Sequence, residues 1–378
     1  MKSNILLYAM LAIAILTLWI ITASRKDWKR ETNRLVDSLT GFSMDGSEIL
    51  LPRRVQSDTP IKKDKGFTPL LPFPPLDEFL WEEDGLQYLP HCVKRYLHRS
   101  LLFTGERERN LEEKIRMVRT VEIDQEGSIF FHGKWVPFLS KMHYSASLSH
   151  PGFVWDARIK SPLSLSFPFF ENSYDIYVRS AHVNGVGSMA VKVMGIIPSI
   201  DIFGLNRKKK SKDRKEEEAG KILKWLSGTP FFPTSLLPHA ESGVKWKTHQ
   251  STESSSSFST SPEPKHTSEW VSAIASFTDP ISDDTSEVEF QFDDNGMVSS
   301  VYAKRPRSKW GNKKEKNADT QKPSDQNVLT LWESRFRDYQ VMGHGMLIPT
   351  RMSAGWWEEN GFQPHFHVHN VGFNFTYF

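Results

Sequence analysis

The chain has 378 residues, and its 48 Lys and Arg stand against 45 Asp and Glu, for a formal charge of +3. So even a balance gives no global argument for nucleic-acid binding. The single Cys92 excludes an internal disulfide framework and a thiolate zinc site built by this chain alone.

From Ile5 to Ala23 no residue is charged. About 19 residues at about 1.5 Å each span about 28 Å, close to a hydrocarbon core of roughly 30 Å. Secretory apolar regions run about 7–15 residues, so residues 1–24 read as an uncleaved transmembrane anchor with a short flank. Arg25, Lys26, Lys29 and Arg30 follow this span, and the positive-inside rule then puts the bulk of the chain in the cytosol. The sequon Asn374-Phe375-Thr376 pulls weakly the other way. Residues 25–84 read as a tether, extended at its Pro-rich end, 69–75.

Residues 85–378 read as a single antiparallel β domain. Leu89–Leu102 has helical spacing, with Val93, Tyr96 and Leu97 on one stripe and Lys94, Arg95 and Arg99 on a solvated face. Strands are expected at Lys114–Ile123, within Ser128–Ser147, at Pro151–Lys160, at Ser173–Arg179 and within Gly187–Phe203. In the third of these, Phe153, Trp155 and Ala157 fall on one face, with Val154, Asp156 and Arg158 on the other. The charge run at 206–218 leads into a helix from about Asp213 to Leu226, with Ile222, Leu223 and Leu226 buried and Trp225 extending that face. Pro230–Pro238 makes a rigid apolar connector. Strands resume at Val244–Thr248 and Trp270–Phe277. A hairpin follows, alternating through Val288, Phe290 and Phe292 and turning at Asp294-Asn295-Gly296. Last come Leu329–Tyr339, Gly345–Met352 and His365–Tyr377. Polar insertions near 206–218, 251–268 and 304–327 read as disordered. About ten strands with two or three helices make a mainly β (α+β) class: a large curved antiparallel sheet or half-barrel, preceded by one transmembrane helix.

Several motifs together resemble a family. Leu89-Pro90 with Val93 and Arg95-Tyr96-Leu97, Gly133-Lys134-Trp135-Val136-Pro137 and Pro151 through Arg158 carry the likeness, with Trp225-Leu226 and Phe232 through Leu237. The family is mostly bacterial and known only as a domain of unknown function, so the resemblance implies a common fold and no particular activity. The turn followed by a Trp-bearing strand is also loosely similar to half-barrel proteins that carry bacterial lipoproteins.

Two kinds of candidate site emerge. Trp135, Trp155, Asp156, Arg158 and Trp225 could line a pocket for a lipid or other apolar molecule, although core tryptophans and a surface ion pair are the plainer alternative. His365, His367 and His369 share one strand face, as a zinc site on a sheet would require, and a metal-dependent hydrolase would use them. Should Gly372 be a bulge, the later aromatics would turn to the opposite face. No cofactor other than this zinc is implied. A protein-binding scaffold acting through the polar insertions is the third reading. The expected partners are the membrane and an apolar small molecule, with no nucleic acid.

Overall fold

Among the described residues, thirteen strands form one antiparallel sheet in the computed structural model. It describes residues 2–41, 89–101, 118–131, 133–147, 150–160, 176–193, 197–198, 220–237, 244–248, 271–279, 283–307, 328–343 and 345–377. The expected insertions at 206–218 and 251–268 lie outside these residues, as do the Pro-rich run at 69–75 and most of the third insertion. Residues 304–307 of that insertion are instead the end of a strand.

The strands are β1 (Val118–Phe131), β2 (Lys134–Ser145), β3 (Gly152–Ile159), β4 (Ile176–Val183), β5 (Val186–Val193), β6 (Ile197–Pro198), β7 (Val244–Thr248), β8 (Val271–Thr278), β9 (Thr285–Phe292), β10 (Val298–Arg307), β11 (Val328–Met342), β12 (Met346–Glu358) and β13 (Gly361–Tyr377). Their order, β6-β5-β4-β3-β2-β1-β13-β12-β11-β10-β9-β8-β7, is two meanders joined where β1 pairs with β13. The hairpin turn falls where its residue types dictate. Gly296 takes a φ of 72° and donates its N–H to Asp293 O, a conformation open to glycine at no steric cost.

The sheet curls. Trp225 Nε1 donates to Ser145 O on β2 at 2.8 Å, while its ring packs 5.1 Å from Phe277 on β8. Seven strand steps separate β2 from β8, about 34 Å if the sheet were flat. One side chain touches both because the two arms fold around it. Trp225 belongs to α3, helical over residues 220–227. Two 3-10 turns follow, Thr229–Phe231 and Pro233–Leu236. The expected apolar connector therefore lies inside the concavity. Phe231 packs on Tyr144 of β2 and Phe336 of β11, and Phe231, Phe232 and Leu236 are fully buried.

Helix α2 (His91–Leu101) buries Cys92, Val93, Tyr96 and Leu97 in the same core. Its basic residues are not simply a solvated face. The guanidinium groups of Arg95 and Arg99 donate to the carbonyls of Asp294 and Asn295 in the β9–β10 turn.

Helix α1 (Lys2–Thr40) departs furthest from expectation. Among the described residues no helix is long and apolar enough to cross a membrane, and along α1 side chains are described without interruption only from residue 19. Residues 25–40 are expected to begin the tether. They continue the helix and dock on the convex face of β3 and β4. Trp28 Nε1 donates to Asp156 Oδ1 at 2.9 Å, and the Arg179 guanidinium lies 4.6 Å from the Trp28 ring. Arg179 also donates to Glu31 at 2.6 Å and to Thr32 Oγ1 at 3.1 Å. Leu35, Val36 and Leu39 pack on Val154, Ala181 and Val183. Gly152 is needed here. A Cβ at that position would stand 2.4 Å from His182 O and 2.7 Å from Leu39 Cδ1.

Candidate functional site

Strand alternation decides which side chains enter the concavity. On β3 these are Phe153, Trp155, Ala157 and Ile159, and on β10 they are Val301, Ala303 and Arg305. Trp332 and Phe336 project inward from β11, Trp356 from β12 and Phe366 from β13. The rings run in sequence around the wall. Trp155 lies 6.1 Å from Phe138 and 6.3 Å from Phe366, Phe366 lies 6.2 Å from Trp332, and Trp332 lies 4.9 Å from Trp356. Phe366, Trp332 and Trp356 stay partly accessible, whereas Phe231, Phe232 and Trp225 seal the opposite part of the concavity completely. Met189 is 37% exposed on the inward face of β5, at the rim.

Two cations enter this aromatic wall. Lys224 Nζ, from α3, lies 4.6 Å from the Phe153 ring and 4.9 Å from the Trp155 ring. The Arg305 guanidinium lies 5.2 Å from the Trp332 ring. Among the described residues neither makes a hydrogen bond or an ion pair with a protein group. Burial pushes the Lys224 amine well below the usual lysine range, and the positive charges of Arg305 and Lys221 push it further. Burial alone brings Arg305 down to about 10. Lys221 is provided for, since its Nζ donates to Ser188 O at 2.6 Å.

The residues singled out in the sequence divide between two faces. Trp155 lines the concave wall. Trp225 is wholly in the core, with its indole N–H bonded to backbone. Asp156 and Arg158 face the convex side and do not bridge each other; Asp156 accepts from Trp28 and Arg158 is exposed. Burial raises the Asp156 carboxyl above its ordinary value, against the opposing pull of the Trp28 bond and the Arg158 and Arg179 charges. Trp135 is also convex, 42% exposed, with its ring 4.5 Å from that of His367.

The histidines are convex too, and β13 carries two bulges. One skips His365 against β12, and the other skips Val371 against β1. The second reverses the alternation, so Phe373, Phe375 and Tyr377 face the core while His367 and His369 face out. The three imidazoles take separate partners. His365 Nδ1 lies 3.0 Å from Gln363 O, His367 packs on Trp135, and His369 Nδ1 lies 3.4 Å from Glu126. No cluster of three metal-capable side chains forms among the described residues.

Two other buried polar groupings are internally satisfied. Gln125 donates to Asn370 at 2.9 Å and accepts from Ser140 at 3.1 Å. Glu333, on the convex face, accepts from Ser300, Tyr302, Arg335 and Trp357. Such saturated networks fix strand registry and leave little for a ligand.

Comparison with known families matches residues 80–368, a span containing Lys224, Arg305 and the accessible rings of the concave wall, to a family of unknown function, DUF6544. The chain belongs to DUF6544. No curated protein matches it. Two solved structures resemble this DUF6544 chain distantly. The first is a domain described as an outer membrane lipoprotein-sorting protein from Vibrio parahaemolyticus. It is 9% identical, has a TM-score of 0.33, and the match covers 68% of this chain and 85% of that one. The second is a DUF1329 family protein from Desulfovibrio piger, 8% identical, with a TM-score of 0.27 and coverage of 68% and 86%.

Lys224, Arg305, Trp332, Trp356 and Phe366 were not named as site residues from the DUF6544 sequence, though a signal existed for two. Arg305 continues the inward alternation of Val301 and Ala303. Lys224 interrupts Ile222-Leu223-Lys224-Trp225-Leu226, a segment too apolar to offer a solvated face.

Proposed function

We propose that the protein is a single-pass, membrane-anchored binding protein whose curved sheet holds a lipid or other apolar molecule against its concave wall. The accessible aromatic lining of Trp332, Trp356 and Phe366 carries this reading. A monomeric domain gains by burying such rings, about 25 cal/mol for each Å² of apolar surface, and here they stay open beside a sealed core. The uncharged stretch Ile5–Ala23 at the start of one continuous helix supports the anchor. The basic cluster after it favours a cytosolic sheet.

Mass spectrometry of small molecules retained by the purified full chain tests the binding reading. An apolar molecule should co-purify, and Trp332→Ala with Phe366→Ala should release it. A chain that carries nothing and takes up no apolar probe would end the proposal. Orientation is checked separately by protease protection in sealed vesicles, where the sheet should be cleaved only from the cytosolic side.

A further inference from the structure

We infer that the ligand is an anionic amphiphile, its carboxylate or phosphate held between Lys224 and Arg305 and its apolar chain lying along Trp155, Phe366, Trp332 and Trp356. This rests on the reading that the concave wall binds an apolar molecule, and it specifies the polar end.

An unpaired cation in an apolar surround is costly, so buried charges are as a rule paired or bound to a ligand. Lys224 and Arg305 are both half-buried, and among the described residues neither has such a partner. They stand on different elements, α3 and β10, and point into the same concavity. Among the described residues each meets only ring faces there. Ring faces attract a cation but supply no negative charge. Arg305 is near enough to Lys224 for their charges to repel, so an oxyanion between them would offset both penalties and their mutual repulsion. A planar guanidinium beside a compact ammonium suits a carboxylate or phosphate oxygen pair. Ile222, Leu223, Trp225 and Leu226 on either side of Lys224 are buried, and Lys224 itself is half-buried against the rings. The rest of the described lining is mostly aromatic, which is why the anion should arrive attached to an apolar chain.

The test measures retention of radiolabelled oleate by the immobilised full chain in a neutral maltoside detergent, with oleyl alcohol and inorganic phosphate as competitors. Oleate should bind about tenfold or more tightly than oleyl alcohol. Lys224→Met and Arg305→Met should each remove about a tenfold share of oleate binding and lower oleyl alcohol retention far less, with circular dichroism and thermal unfolding showing that the variants are folded. Equal retention of oleate and oleyl alcohol, unaffected by either substitution, would overturn the anionic head while the apolar site stands. Retention of neither would overturn both. Displacement of oleate by phosphate at matching concentration would mark a free-oxyanion site and overturn the amphiphile.

Discussion

Lys224 is a residue whose placement costs stability. The charged form is disfavoured in the fold, so its pKa is lower folded than unfolded. For a lysine this shift means the cost is fully present below the lowered folded value and disappears as pH rises through the ordinary value of 10.5. Among the described residues the charged groups facing it are Arg305 and Lys221, both positive, so no carboxylate in that set reverses the sign. Lys224→Met should therefore stabilise the unliganded protein at pH 7 by on the order of 1–3 kcal/mol, about 2–4 °C in Tm per kcal/mol. The wild-type-to-variant difference, followed by thermal unfolding, should narrow between pH 7 and pH 10. Gly152 points the other way. Gly152→Val drives a side chain into the β4 backbone and Leu39, and should cost about 1–3 kcal/mol, read as a lower denaturant midpoint. At this scale the sequence was only partly legible. That Phe153, Trp155 and Ala157 share a face was legible from the alternation, but Asp156 and Arg158 invited pairing because nothing local announces that a tryptophan 128 residues earlier takes the carboxylate.

Among the elements, α1 and β13 depart most from the sequence reading. Trp28, Thr32, Leu35 and Leu39 recur at helical spacing, so the docking stripe of α1 was present in the sequence. Charged neighbours lowered its contrast and made the segment read as a tether. Trp28 is the centre of the dock, joining a hydrogen bond, a cation–π contact and burial. Trp28→Ala should raise amide exchange across residues 25–40 by an order of magnitude or more. The sheet itself should lose little, because local opening is cheaper than global unfolding. The β13 misreading has a different cause. Period 2 assigns faces correctly only until a bulge inserts a residue, and both bulges occur in this strand. The possible bulge at Gly372 was visible as a glycine in a strand. The one at His365 had no such marker.

Over the whole molecule, the mainly antiparallel class followed from alternation and turn chemistry, since strands separated by short turns meander. The seam between β1 and β13 and the curl that brings β8 to Trp225 did not follow. They depend on which of two distant edges meet and on a core that both arms share, and neither is a local property. The core bears this out. Trp225 binds both arms, so Trp225→Ala should cost about 3–5 kcal/mol and lower the unfolding midpoint of the entire sheet together, not of one arm.

The docked half of α1 gives the proposed anchor a mechanical character. A flexible leash would let the sheet tumble above the bilayer, whereas a helix bolted to β3 and β4 works like a threaded post. Its 16 residues from Arg25 to Thr40 rise about 24 Å, and each added residue lifts the sheet about 1.5 Å and turns it by about 100°. Two alanines inserted between Ser24 and Trp28 should leave the fold intact yet swing the mouth of the concavity to another compass bearing. Seven should bring it nearly back, one storey higher. Site-directed photo-crosslinking from Met189 to lipid would follow that rotation. Mounted as proposed, the protein would not ferry a cargo; it would stand at one height and heading, and whatever it binds would have to come to the place where it faces.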